Sequence, residues 1–310
     1  MNPMRLRAMT AADRSEVADL IYCSLNAWYQ LHGMGQIVQG GPQAAEVFYD
    51  VYNAIDPGCC VIAQNTDTSR LMGSCFYHPR EHHVALGIMN VHPNYFGMGV
   101  GRALLQFIID FTDANGYKAL RLTQSALNLD SFSLYNKAGF VPRHAYQDML
   151  VTVPERGLQH AVPGAEHLRD ATLDDVPKMA ALEMAVSGVS REQDYRYCIQ
   201  NDLGFWHTSV YENERGELDG FLISSGHSTT NMLGPGVMRG DDQAAALIQR
   251  ELNQYRGRAP VFLIPVEREK LVRRMYDWGA RNCELHFCQV RGEFKPYQGI
   301  NMPTFILETA

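Results

Sequence analysis

This chain of 310 residues is marked first by what it lacks. No uninterrupted apolar stretch approaches the roughly 20 residues needed to span a bilayer. The opening Met1-Asn-Pro-Met-Arg-Leu-Arg-Ala-Met9 carries basic residues but no apolar core of an export signal. A soluble, cytoplasmic protein with no membrane partner is therefore expected. The seven cysteines are odd in number, Cys59 and Cys60 are adjacent, and no C-x-x-C pair occurs. Neither a disulfide framework nor a metal site is suggested. A formal charge of −7, with no basic stripe interleaved with aromatics, argues against nucleic acid and for tolerance of cationic substrates. The Gly-Lys-Ser/Thr of a P-loop is also missing.

What is present has a globular balance, 46% hydrophobic and 20% charged, at a length that suggests two domains of about 150 residues. An internal repeat agrees. Leu6-Arg-Ala-Met-Thr10 and the amphipathic stretch after it read as a short strand, an N-cap and a helix. Leu168-Arg-Asp-Ala-Thr172 opens the same order again. The segment from Pro154 to Gly164 has no periodicity and is bracketed by prolines. The expected division is thus a first domain at 1–153, a linker at 154–165 and a second domain at 166–310. In the second copy, strands are expected at 206–211, 218–224, 231–238 and 261–266, with helices at 241–255 and 268–278.

The most specific signal lies at 91–140. Val84 to Val91 reads as a strand closed by Pro93, and Leu104, Phe107, Ile108 and Phe111 recur at the spacing of one helical face. Gly97, Gly99 and Gly101 stand between strand and helix. There the first helical N–H groups have no internal partner, the helix dipole is positive, and glycine lets ligand oxygens approach the backbone. The pattern reads as a pyrophosphate cradle. It is not a dinucleotide fingerprint: Arg102 occupies the third glycine's place, and the next strand, 119–123, ends without a carboxylate. Downstream, Asn128, Ser131, Tyr135, Gly139 and Phe140 follow in series, with Ser131 and Tyr135 one helical turn apart on one face.

Together these halves resemble the GNAT superfamily of N-acetyltransferases, whose acetyl-coenzyme A loop reads (Gln/Arg)-x-x-Gly-x-(Gly/Ala). Here it is Phe96-Gly97-Met98-Gly99-Val100-Gly101, with Phe96 where the family has Gln or Arg. The order of the second copy resembles the same fold. The resemblance implies an α/β (α+β) architecture of two GNAT-like domains, each a mixed, mostly antiparallel sheet flanked by helices. It also implies an acetyl-CoA-dependent N-acetyltransferase, without metal, acting on a primary amine of a small molecule in a ternary complex. The donor would be held by Met89, Asn90, Val91, Phe96 to Arg102, Asn128, Ser131 and Tyr135. The Val91 N–H would polarise the thioester, and Tyr135 would be the general acid.

The second copy carries Asp241 and Asp242 where the first has its glycine turn, and aligning Gly279 with Gly139 puts Met275 opposite Tyr135. Loss of donor binding is expected there. The family's usual base, a glutamate six residues before the strand's last valine, corresponds to Ala85. His83, on the same strand face as Ala85, and Glu81 are the candidates for base. A competing reading leaves His78, His82 and His83 as exposed loop residues. Trp28, Tyr29 and Tyr52, flanking a glycine-bearing loop, are the candidate acceptor contacts. A non-catalytic acyl-CoA-binding protein is the alternative class. The sequence fixes neither the amine nor the oligomeric state.

Overall fold

The computed structural model describes residues 3–307. The chain divides into two compact units, one of residues up to 79 with 83–120, the other of 80–82 with 121 onward.

In the first unit β1 (Met4–Ala8), β2 (Cys60–Asn65), β3 (Leu71–Pro79) and β4 (His83–Val91) pair in that order, all antiparallel. Helices α1 (Arg14–Leu31) and α2 (Glu46–Ile55) precede β2, and α3 (Val100–Ala114) follows β4. Strand alternation separates the helices. Gly73 and Tyr77 of β3 face α3, where a Cβ on Gly73 would lie 2.9 Å from Val100 and where Tyr77 meets Phe111 at 4.9 Å between rings. The residues between them face the other way: Phe76 packs on Tyr52 of α2, and Asn90, paired with Ser74, donates to Ser24 of α1 at 2.7 Å. The β3–β4 register slips between Cys75 and Tyr77, so that β4 carries one extra residue around Gly87. Such a bulge bends the strand and re-aims its side chains.

The second unit takes in most of β5 (Ala119–Ser125), then α4 (Leu129–Lys137), β6 (Val141–Leu150), β7 (Leu168–Asp170), α5 (Val176–Ser187) and α6 (Glu192–Gln200). There follow β8 (Trp206–Glu212), β9 (Leu218–Ser225), β10 (Met232–Met238), α7 (Asp241–Leu252), β11 (Val261–Pro265), α8 (Glu269–Asp277), β12 (Arg281–Gly292) and β13 (Ile300–Met302). Here β10 and β11 run parallel, while β7–β8, β8–β9, β9–β10, β6–β11, β6–β12 and β10–β13 are antiparallel. The architecture is mixed α/β, with mostly antiparallel sheet flanked by helices.

The repeat recurs in atomic detail. Thr10 and Thr172 adopt φ/ψ of −123/167 and −121/167, and each N–H donates to a carboxylate three residues on, Asp13 or Asp175, at 2.8 Å. Arg7 and Arg169 clamp those carboxylates from the preceding strand. Compactness nevertheless divides the chain near 120, not at the linker. The reason is strand exchange: β6, last in the first repeat, lies between β11 and β12 of the second. Within residues 154–165 the Leu158 N–H donates to Asn253, the C-cap of α7, at 2.7 Å, and the His160 N–H to Gln249 of α7 at 3.1 Å. No helix among the described residues is long and apolar enough to cross a membrane.

Candidate functional site

Strand β4 ends at Val91, Pro93–Tyr95 form one 3-10 turn, and α3 begins at Val100. Gly97 and Gly99 have φ of +74° and +82°, and a Cβ on either would meet no atom of the described residues within 4 Å. Positive φ therefore explains these glycines, and the space before them is open. Gly99 is the N-cap, and the first N–H to reach back is that of Ala103, bonding the Gly99 carbonyl at 3.0 Å. Helix geometry leaves the Val100, Gly101 and Arg102 N–H groups directed outward from the positive end of a 15-residue helix. Phe96 and Met98 are exposed beside them.

In the second unit, Asn128 caps α4, its side-chain oxygen accepting from the Ser131 N–H at 3.0 Å. That oxygen serves the helix itself. Tyr135 is buried one turn beyond Ser131 and packs on Phe140. Gly139 (φ +89°) closes α4 with the Phe140 N–H on the Tyr135 carbonyl, as Gly279 (φ +85°) closes α8 with the Ala280 N–H on Met275. Met275 is thus the positional counterpart of Tyr135, and Tyr276, exposed, donates instead to Gln147.

The second copy's turn is closed. Asp241 and Asp242, at the start of α7, are held by Arg268 and Arg274 at 2.7 and 2.9 Å. Strands β10 and β11 pair only at Met232–Leu233 with Val261–Phe262, after which β10 pairs with β13 at Gly236–Met302, Val237–Asn301 and Met238–Ile300. The chain's own late segment, buried from Ile300 to Thr304, fills the gap where β10 leaves β11. Close approach requires Gly234 and Gly299, whose added Cβ atoms would lie 2.7 Å from the Pro303 carbonyl oxygen and 2.5 Å from that of Met238.

The histidines need a correction. His82 and Glu81 do lie exposed in the β3–β4 turn, but His78 and His83 are each only 2% exposed, on β3 and β4. Both belong to the sheet because period-2 alternation turns them toward the α1–α2 face. His78 Nδ1 lies 2.6 Å from Asp56 Oδ2, and its ring lies 4.6 Å from that of Tyr52. Sequence reading missed this pair because Asp56 sits just beyond α2, remote in the chain from β3.

Of the candidate acceptor contacts, Tyr52 is buried on α2, while Trp28 and Tyr29 are half-buried at the end of α1, with Trp28 stacked on His32 at 4.1 Å. The loop between α1 and α2 is tied down by a residue the sequence reading did not single out. Asn26, buried, accepts from the Ile37 and Val38 N–H groups at 3.0 Å and donates to the Val38 carbonyl at 2.9 Å.

Further buried polar groups gather in the second unit. Arg121 donates to the Tyr297 hydroxyl at 2.5 Å, and Tyr297 stacks on His144 at 4.0 Å. Asp148, Glu284 and His286 bring ligand-type atoms within 4.8 Å of one another; His286 pairs with Asp148, and Glu284 accepts from Ser125. Burial pushes the Cys60, Cys198 and Cys288 thiols up, which keeps them protonated and unreactive.

Residues 25–140 match the profile of the acetyltransferase (GNAT) family. A stretch of 71 residues is 35% identical to UPF0157 protein YqkA of Bacillus subtilis (strain 168), covering 23% of this chain and 20% of that protein. In fold the chain is similar to a Pyrococcus horikoshii protein described as an acetyltransferase, at 14% identity and TM-score 0.74, over 99% of this chain and 93% of that one. It is also similar to a tandem GNAT protein from the clavulanic acid biosynthesis pathway, at 13% identity and TM-score 0.60, over 93% and 98%.

Proposed function

From the match of residues 25–140 to the acetyltransferase (GNAT) family profile, we propose that the chain is an acetyl-CoA-dependent N-acetyltransferase acting on a primary amine of a small molecule. The observation that carries this reading is the turn from Phe96 to Arg102: two glycines at positive φ, open space before them, and three outward N–H groups at a helix start. An anion satisfies those groups and the dipole together.

In this reading residues 1–153 are the catalytic repeat and 166–310 a divergent one. The backbone from Gly97 to Arg102 holds the donor's pyrophosphate, with Phe96 and Met98 alongside. The strand residues Met89, Asn90 and Val91 take its extended arm, and the Val91 N–H polarises the thioester carbonyl. Asn128 and Ser131 orient the start of α4. Tyr135 returns a proton to the departing sulfur. Trp28, Tyr29 and Tyr52 contact the acceptor, which attacks the thioester directly. The second repeat binds no donor, since β13 fills its gap and Asp241 and Asp242 stand at its helix start.

Release of free thiol from acetyl-CoA across a panel of small primary amines tests this reading. Amine-dependent release supports it. Tight acetyl-CoA binding without release would favour an acyl-CoA-binding protein, a reading to which Ala85, lacking a carboxylate, lends itself.

A further inference from the structure

The amine must lose a proton before it can attack, and the strand position from which a base is expected is Ala85. The β3–β4 register sets His78 directly opposite Ala85, so the two share the α1–α2 face of the sheet. His78 Nδ1 is bonded to Asp56 Oδ2 at 2.6 Å, and both side chains are buried. A ring whose Nδ1 donates to a carboxylate is fixed in orientation and carries its lone pair on Nε2. That atom is buried and has no hydrogen-bond partner among the described residues. It points at Gly87, where an added Cβ would lie 2.7 Å from it. Gly87 sits in the β4 bulge, so any side chain at that position would press on Nε2. An imidazole kept only for packing has no need of a carboxylate clamp on one nitrogen and an unfilled acceptor on the other, since a buried acceptor left unsatisfied is destabilising.

Resting on the acetyltransferase reading above, we propose that His78 is the general base of the first repeat and that Asp56 is its positioning residue. Nε2 accepts one proton from the acceptor's ammonium group, directly or through one water. The nitrogen lone pair so freed forms the bond to the acetyl carbon. The carbon–sulfur bond breaks with its electron pair on sulfur, and Tyr135 supplies a proton there. The surplus proton on the new amide nitrogen restores Tyr135 through solvent, and His78 gives its own to bulk water, so one proton is released per turnover. The groups facing the His78 ring are Asp56, at the end of α2, and Tyr52, within it; His83 lies on the same face of β4, two residues from Ala85.

The test compares wild type, His78→Gln and Asp56→Asn in kcat/KM against pH, with acetyl-CoA binding measured on each. His78→Gln is expected to lower kcat/KM by about 100-fold or more and to remove the acid limb of its profile while acetyl-CoA binds as before. Asp56→Asn is expected to fall between and to displace that limb. Full activity and an unchanged acid limb in His78→Gln would overturn the proposal. Wild type that binds acetyl-CoA yet acetylates no amine would overturn it together with the transferase reading. Ring-nitrogen NMR of the unmodified protein gives an independent reading that needs no variant to fold. A neutral His78 protonated on Nδ1 is expected; an Nε2–H tautomer would contradict the role.

Discussion

Gly236 of β10 stands opposite Met302 of β13, and through that pair the chain closes the gap between its own parallel strands. The first repeat keeps two positive-φ glycines with open space before them; the second has filled the corresponding region with backbone and anchored carboxylates. One architecture is used twice, and only one copy retains an open turn.

Gly299→Val is expected to destabilise the second unit, since its Cβ would fall 2.5 Å from the Met238 carbonyl oxygen. Overpacking of this kind costs about 1–3 kcal/mol, read as a lowered thermal midpoint. An unchanged midpoint would mean that β13 is not seated against β10.

Tyr135→Phe keeps the ring packed on Phe140 and removes only the hydroxyl. A fall in kcat of about 100- to 10,000-fold, with acetyl-CoA affinity unchanged, is expected of a general acid. Undiminished kcat would remove Tyr135 from the chemistry.

The paired caps make stability sensitive to acid. Asp13 is held down to about 2 by the hydrogen bond from Arg7, and Asp175 to about 2 by that from Arg169. A carboxyl lowered by folding stabilises above its unfolded value, and that contribution is lost as pH falls through the folded one. Denaturant midpoints should therefore drop between about pH 4 and 2, and the drop should be shallower in Asp13→Asn/Asp175→Asn. Equal slopes would contradict the assignment.

Asn26→Ala leaves the buried Val38 N–H and carbonyl without their side-chain partner. A cost of about 1–3 kcal/mol is expected, together with faster hydrogen exchange at Ile37 and Val38. Exchange rates equal to wild type would show that the loop is held by other means.

The features legible in the sequence are those written locally. The glycine turn, the Thr10 and Thr172 caps and the closing Gly139 and Gly279 each rest on a few adjacent residues, and the second copy's strands and helices follow their periodicity, α7 stopping at Leu252 with a turn to Tyr255 in place of further helix. What was not legible depends on pairing across the chain. The exchange of β6 between β11 and β12, the seating of β13 on β10 and the clamp of Asp56 on His78 leave no local pattern. The burial of His83 was hidden in the same way, because a histidine beside Glu81 and His82 reads as part of an exposed turn until the strand register is known.

The most direct test of a single open cradle is calorimetric titration of acetyl-CoA into wild type and Gly99→Glu. A single open cradle gives one site per chain in wild type and loss of binding in the variant, whose side chain would bring a carboxylate to the positive end of α3 at a residue with φ of +82°. Two equal sites per chain, or binding that survives the substitution, would contradict it.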